Sequence, residues 1–112
     1  MNNIDIDSAD RKTINAHKGY TVGFNSEMIP ISILDTELVD RFKNHLSKAK
    51  GILINFTLNE DQSLHSIGDV MEQIGDIISS DAEIIFGTEV EGNIELEKCR
   101  FNILLTGLEK IS

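Results

Sequence analysis

The stretch from Gly51 to Thr88 most limits what this chain can fold into. It reads GILINFTL, then a polar NEDQ, then SLHSIGDVMEQIGDIISS, then DAEIIFGT. The two outer runs are short, apolar and rich in Ile and Phe, the pattern of strands in the middle of a sheet. The inner run places Leu64, Ile67, Val70, Met71, Ile74, Ile77 and Ile78 at helical intervals. One helical face is therefore apolar, and the other carries Asp69, Glu72, Gln73 and Asp76. A strand, a helix and a second strand in this order predict parallel strands joined by a right-handed crossover.

The remaining length bounds the rest. At 112 residues the chain is read as a single domain, with 1–19 as an N-terminal segment containing a short helix and 20–108 as a sheet-and-helix core. The formal net charge is −9. Such a surface repels phosphate backbones and anionic lipid, so neither nucleic acid nor membrane is an expected partner. No apolar run approaches the roughly 18 residues of a membrane span. MNNIDIDSAD has neither the basic start nor the apolar centre of a signal peptide. Cys99 is the only cysteine, which excludes an internal disulfide and fits a reducing, cytoplasmic setting. It opens a strand-like run and reads as a small hydrophobe.

Before the central stretch, Tyr20 to Phe24 has the β-branched and aromatic content of a strand. Gly23 inside it suggests a bulge or a close backbone approach. Asn25 to Ile33 reads as a loop with the only proline, Pro30, yet Ile29, Ile31 and Ile33 are too apolar to be idle. Asp35 is placed to cap a helix whose stripe is Leu38, Phe42 and Leu46, widened by Val39 and Ala49. Arg41, Lys43, Lys48 and Lys50 make its later part basic, which suits a solvated helix C-terminus.

Ser63 is the expected cap of the long helix. Gly68 and Gly75 within it cost about 1 kcal/mol each relative to Ala. Seven residues apart, they lie on nearly one face, where another element could approach closely. Asp81 to Val90 and Cys99 to Thr106 read as the last strands, joined by the acidic turn Glu91 to Glu97 and therefore expected to pair antiparallel. The expected fold is an α/β (α+β) two-layer sandwich of order β-α-β-α-β-β. It has a mixed four-stranded sheet, two main helices on one face and a short N-terminal helix.

Residues that could carry chemistry are few. Asp5, Asp7 and Asp10 are the densest acidic cluster. Asp7 or Ser8 could cap the short helix, with Asp10 in its first turn. A calcium loop would need a central Gly and a closing Glu, and both are missing. His17, His45 and His65 lack metal-ligand spacing, and no Ser-His-Asp or Cys-His arrangement is readable. No glycine-rich phosphate loop is present, so no cofactor is expected.

Four matches, collinear from about Ala49 to Leu108, give the chain a family likeness. Ala49-Lys50-Gly51-Ile52-Leu53-Ile54-Asn55 resembles the entering strand of the C-terminal domain of FtsZ, the bacterial tubulin homologue. Ser63-Leu64 is similar to that domain's Thr-Leu helix start. Ala82-Glu83-Ile84-Ile85-Phe86-Gly87-Thr88 resembles its A-N-I-I-F-G-T. Arg100-Phe101-Asn102-Ile103 with Thr106-Gly107-Leu108 resembles its final strand and T-G-F ending. Upstream, Ile4 to Thr13 is similar to the family's synergy loop, I-N-x-D-F-A-D-x-K-T, with Asp5 in place of the Asn and Ser8 in place of the Phe.

This resemblance implies an assembly domain of a cell-division filament. On it, Asp7 and Asp10 fall on the acidic residues that polarise the attacking water at the nucleotide of the next subunit. Asp5 adds a negative charge there, which is unfavourable beside a γ-phosphate. The family's GGGTGTG phosphate loop has no counterpart in this sequence, so the chain alone is not expected to bind GTP. Three functions follow as expectations. The first is a non-catalytic interaction domain that forms a homo-oligomer or contacts FtsZ-type subunits. The second is the trans-activating half of a GTPase site, with Asp7 and Asp10 as the candidates. The third is a small-molecule-binding domain on the same scaffold.

Overall fold

The computed structural model describes residues 20–108. Strand β1 (Tyr20–Asn25) is followed by a two-residue strand β2 (Ile29–Pro30) and a single 3-10 turn at Ile31–Ile33. A helix, α1, then runs through Asp35–Asp40, wound as π-helix, and Arg41–Lys48, wound as α-helix. After it come strand β3 (Gly51–Leu58), helix α2 (His65–Ile77), strand β4 (Glu83–Val90) and strand β5 (Lys98–Leu108). The sheet order is β1-β5-β3-β4, with β2 beside β5. The mixed sheet and paired helices are the expected α/β architecture, with a short fifth strand added. The expected N-terminal helix, with Asp5, Asp7, Asp10 and His17, lies outside the described residues.

β3 is the hub. All eight of its residues are buried, as its near-continuous apolar run requires. Ile52, Ile54, Phe56 and Leu58 point to one side and meet Ile67, Val70 and Ile74 of α2 and Leu38, Phe42 and Leu46 of α1 in one core. Cys99, Phe101, Ile103 and Leu105 of β5 join it at alternate positions, the two-residue period of a pleated strand. Burying a side chain such as Phe56 or Leu46 completely is worth about 1.5–3 kcal/mol. Phe24 of β1 closes the flank against Phe42, with ring centroids 5.2 Å apart, and the Arg41 guanidinium lies over the Phe24 ring at 4.4 Å.

Several expectations are corrected. The last two strands form no hairpin. Among the described residues β4 pairs only with β3, in parallel, while β5 pairs antiparallel with both β3 and β1. The 91–97 connection instead crosses the end of β3. The Glu91 N–H donates to the Leu58 carbonyl at 3.0 Å, and Asn59 Nδ2 donates to the Ile94 carbonyl at 2.7 Å. The physical reason is burial: β5 is apolar along most of its length and gains more between two strands than at an edge. The presumed loop holds β2, which pairs Ile29 with Cys99 and Pro30 with Lys98. Proline is tolerated there because the position is marginal to the sheet. Ile31 is buried, but Ile33 is exposed.

Asp35 makes no side-chain cap; Leu34 occupies the cap position. Ser63 Oγ does accept the His65 N–H at 3.2 Å, but the regular helix starts only at His65, which leaves Leu64 exposed. The strand irregularity lies between Tyr20 and Val22, one step before Gly23. A Cβ built at Gly68 or Gly75 would meet nothing within 4 Å, so these glycines mark no close approach.

Candidate functional site

Both helices pack on one face of the sheet, and the other face carries no helix among the described residues. That second face has a layered composition set by strand register, and its β3 residues Leu53, Asn55 and Thr57 are buried. Leu53 on β3 lies beside Leu104 on β5 and Ile85 on β4, and Leu104 pairs with Gly23 on β1. This row is apolar. The next row is amide: Asn25, Asn102 and Asn55 stand in register across β1, β5 and β3. Beyond it Thr57 pairs with Arg100 on one side and Glu89 on the other.

These polar rows line a shallow groove of about 310 Å³ that includes Asn25, Asn55, Thr57, Glu89, Arg100 and Asn102. Arg100 Nη2 is held 2.7 Å from Glu91 Oε2. Ser26 closes the β1 end: its N–H donates to the Phe101 carbonyl, and its Oγ accepts the Phe101 N–H, each at 2.8 Å. A primary amide both donates and accepts, so the asparagine row suits hydrogen bonding to polar or main-chain groups. The groove contains no nucleophile paired with a base. Cys99 points to the opposite, helical side, where burial pushes its thiol up to about 11 and keeps it protonated and inert.

The candidates read from the sequence are not gathered here. Asp5, Asp7, Asp10 and His17 lie outside the described residues. His45 sits at the edge of the Phe42 ring, and His65 Nε2 lies 3.4 Å from Asp69 Oδ2 on the surface of α2. Lys43, Lys48 and Lys50 are exposed around the end of α1. The asparagine row went unread, because strand register and not spacing aligns it. Its one visible signal was Asn55, an amide inside the mostly apolar GILINFTL.

The family model for the FtsZ family, C-terminal domain, matches residues 26–109. The chain belongs to the FtsZ family, as a C-terminal domain. Cell division protein FtsZ of Haemophilus influenzae is 29% identical to it over 118 aligned positions, covering 97% of this chain. Cell division protein FtsZ of Haloferax mediterranei is 31% identical and covers 95% of it. The chain spans only 28% and 29% of those relatives' own lengths. Among solved structures, an empty FtsZ dimer from M. jannaschii superposes with a TM-score of 0.70 at 24% identity, covering 93% of this chain and 32% of that one. CetZ1 of Haloferax volcanii, a GDP-bound monomer, gives 0.62 at 14% identity, covering 95% of this chain and 34% of that one. At these identities the structural matches establish the shared fold. Among the described residues of this FtsZ-type domain, no helix is long and apolar enough to cross a membrane.

Proposed function

We propose that this chain is a non-catalytic assembly domain of FtsZ type, related to bacterial cell division and working in the cytoplasm. It acts by self-association or by contact with FtsZ-type subunits, and it binds no GTP by itself. The observation that carries this reading is the family match over residues 26–109.

Light scattering at tens of micromolar, together with co-sedimentation with polymerised FtsZ, tests the proposal. A dimer or larger species, or co-sedimentation above background, supports it. A monomer that stays in the supernatant overturns it.

A second reading has its own support. The likeness to the Haemophilus influenzae protein covers 97% of this chain, so it includes the segment that holds Asp5, Asp7 and Asp10. Asp7 and Asp10 would then polarise water at the nucleotide of a full-length partner. GTP turnover of a full-length FtsZ is measured with and without this chain. An increase that disappears when Asp7→Ala and Asp10→Ala are combined supports this role. An increase that survives both changes, or no increase, removes it.

A further inference from the structure

Glu97 ties three connections together at the end of the sheet where β3 stops and β5 starts. Its N–H donates to Gln62 Oε1 at 2.6 Å, and Gln62 Nε2 donates back to Glu97 Oε1 at 3.3 Å. Its carbonyl accepts the Ile31 N–H at 2.8 Å. Each tied segment carries an exposed apolar side chain close by in the chain: Leu96 before Glu97, Leu64 after Gln62 and Ile33 after Ile31. They are 54%, 42% and 39% exposed. A single exposed apolar residue needs no explanation, but three gathered at one end mark a contact surface.

At the same end, the starts of α1 and α2 leave a notch of about 180 Å³. The buried Ile31 and Val70 form its floor, and the exposed Asp35, Asp69 and Gln73 line its rim. Among the described residues Asp35 takes part in no ion pair. Asp69 lies 3.4 Å from His65 Nε2, yet its side chain is still 57% exposed. An apolar floor beneath two carboxylates fits one long basic side chain, whose methylenes cover the floor while the charged head reaches the rim. Arginine suits it better than lysine, because its planar fork of donors can serve two carboxylates at once.

The surrounding charge selects the same partner. From Gly51 to Glu97 the chain holds no Lys or Arg. Glu60, Asp61 and Glu95 are exposed next to the tied residues. A second copy fits poorly, because both arginines among its described residues are already held, Arg41 by Glu37 and Arg100 by Glu91.

We propose that the notch between the starts of α1 and α2 docks a segment of a partner protein through one arginine flanked by apolar residues. The arginine methylenes lie on Ile31 and Val70, and its guanidinium lies between Asp35 and Asp69. The flanking apolar residues cover Ile33, Leu64 and Leu96. Such docking requires no FtsZ-type subunit, so it stands or falls separately from the assembly reading.

The probe is a short synthetic peptide with one Arg between two Leu residues. It is titrated into the full chain and followed by fluorescence anisotropy and by amide chemical shifts. Expected is saturable binding, with shifts at Ile33, Leu64, Asp69 and Leu96. Citrulline in place of the peptide's Arg keeps the shape, removes the charge and should weaken binding at least about tenfold. Asp35→Asn combined with Asp69→Asn should do the same. Leu64→Ser, at an exposed position, should weaken binding about threefold to tenfold. Glu72→Gln combined with Asp76→Asn removes as much charge from α2 away from the notch and should leave binding within about twofold. Absence of saturable binding, equal binding of the citrulline peptide, or an equal loss from the two charge-neutralised variants overturns the proposal. A dimer of this chain that forms without peptide and that Leu64→Ser dissociates overturns it in favour of a second copy at this end.

Discussion

Arg100 Nη2 lies 2.7 Å from Glu91 Oε2, and this contact spans the end of the central strand β3. Arg100 stands on β5, whereas Glu91 follows directly after β4, and Thr57 of β3 sits between their strands. The pair therefore links two strands that do not pair with each other. Both side chains are about 40% exposed, at 42% and 41%, so solvent screening reduces the contribution. Arg100→Met and Glu91→Gln should each destabilise by about 0.2–1 kcal/mol, with a smaller loss at high salt. Urea unfolding of the single and double variants measures the coupling between them.

Asn59 organises the crossing. Its Nδ2 donates to the Ile94 carbonyl at 2.7 Å, and its Oδ1 accepts the Asp61 N–H at 2.8 Å. Ile94 beneath it is buried. Asn59→Ala leaves a partly buried carbonyl without its donor and should cost about 1–3 kcal/mol. Chemical denaturation shows this as a lower midpoint with an unchanged slope. The exposed Asn93→Ala in the same connection should change little.

Cys99 is fully buried, and its thiol is pushed up to about 11 by desolvation. Its ordinary value is 9.0, so the folded state favours the protonated thiol. The resulting stability is fully present below the unfolded value and is lost as pH rises through the folded one. Denaturation midpoints should therefore fall between about pH 9 and pH 11. At neutral pH, alkylation by iodoacetamide should require unfolding and should match the unfolding rate at high reagent concentration. Cys99→Ser, which buries a hydroxyl, should cost about 1–3 kcal/mol.

Two backbone positions with positive φ should respond in opposite directions. Gly107 has φ 70° near the end of β5, a conformation that suits glycine. Gly107→Ala should cost about 1–2 kcal/mol. Glu97 has φ 65° with a side chain that resists it, just before β5. Glu97→Asn places there a residue that tolerates this region and should gain about 0.5–1 kcal/mol. Thermal melts of the two variants compare the signs directly.

The elements themselves could be read along the chain. Leu38, Phe42 and Leu46 recur at helical spacing, and all three are in the core. Ile67, Val70 and Ile74 do the same on α2. The near-continuous apolar run of β3 announced a strand buried on both sides, and Cys99 at the head of the last strand proved to be a buried small hydrophobe. Less was legible at the ends of elements. Asp35 looked like a cap and is not one, because the helix begins with a wide π turn preceded by the buried Leu34. β2 was hidden because two residues around a proline have no period to detect.

Local patterning along the chain decides which segments are strand or helix, which face of each is apolar, and the FtsZ family likeness. Each of these is local, a matter of periodicity and of residues that stand next to one another in the chain. The order β1-β5-β3-β4, with everything that depends on it, is set by long-range packing. A short turn between the last two strands favours a hairpin, yet β5 buries more apolar surface between β1 and β3 than it would beside β4. That competition between short loop closure and long-range burial has no signature in any one segment. Its outcome brings Asn25, Asn102 and Asn55 into one row and places β4 last in the sheet among the described residues.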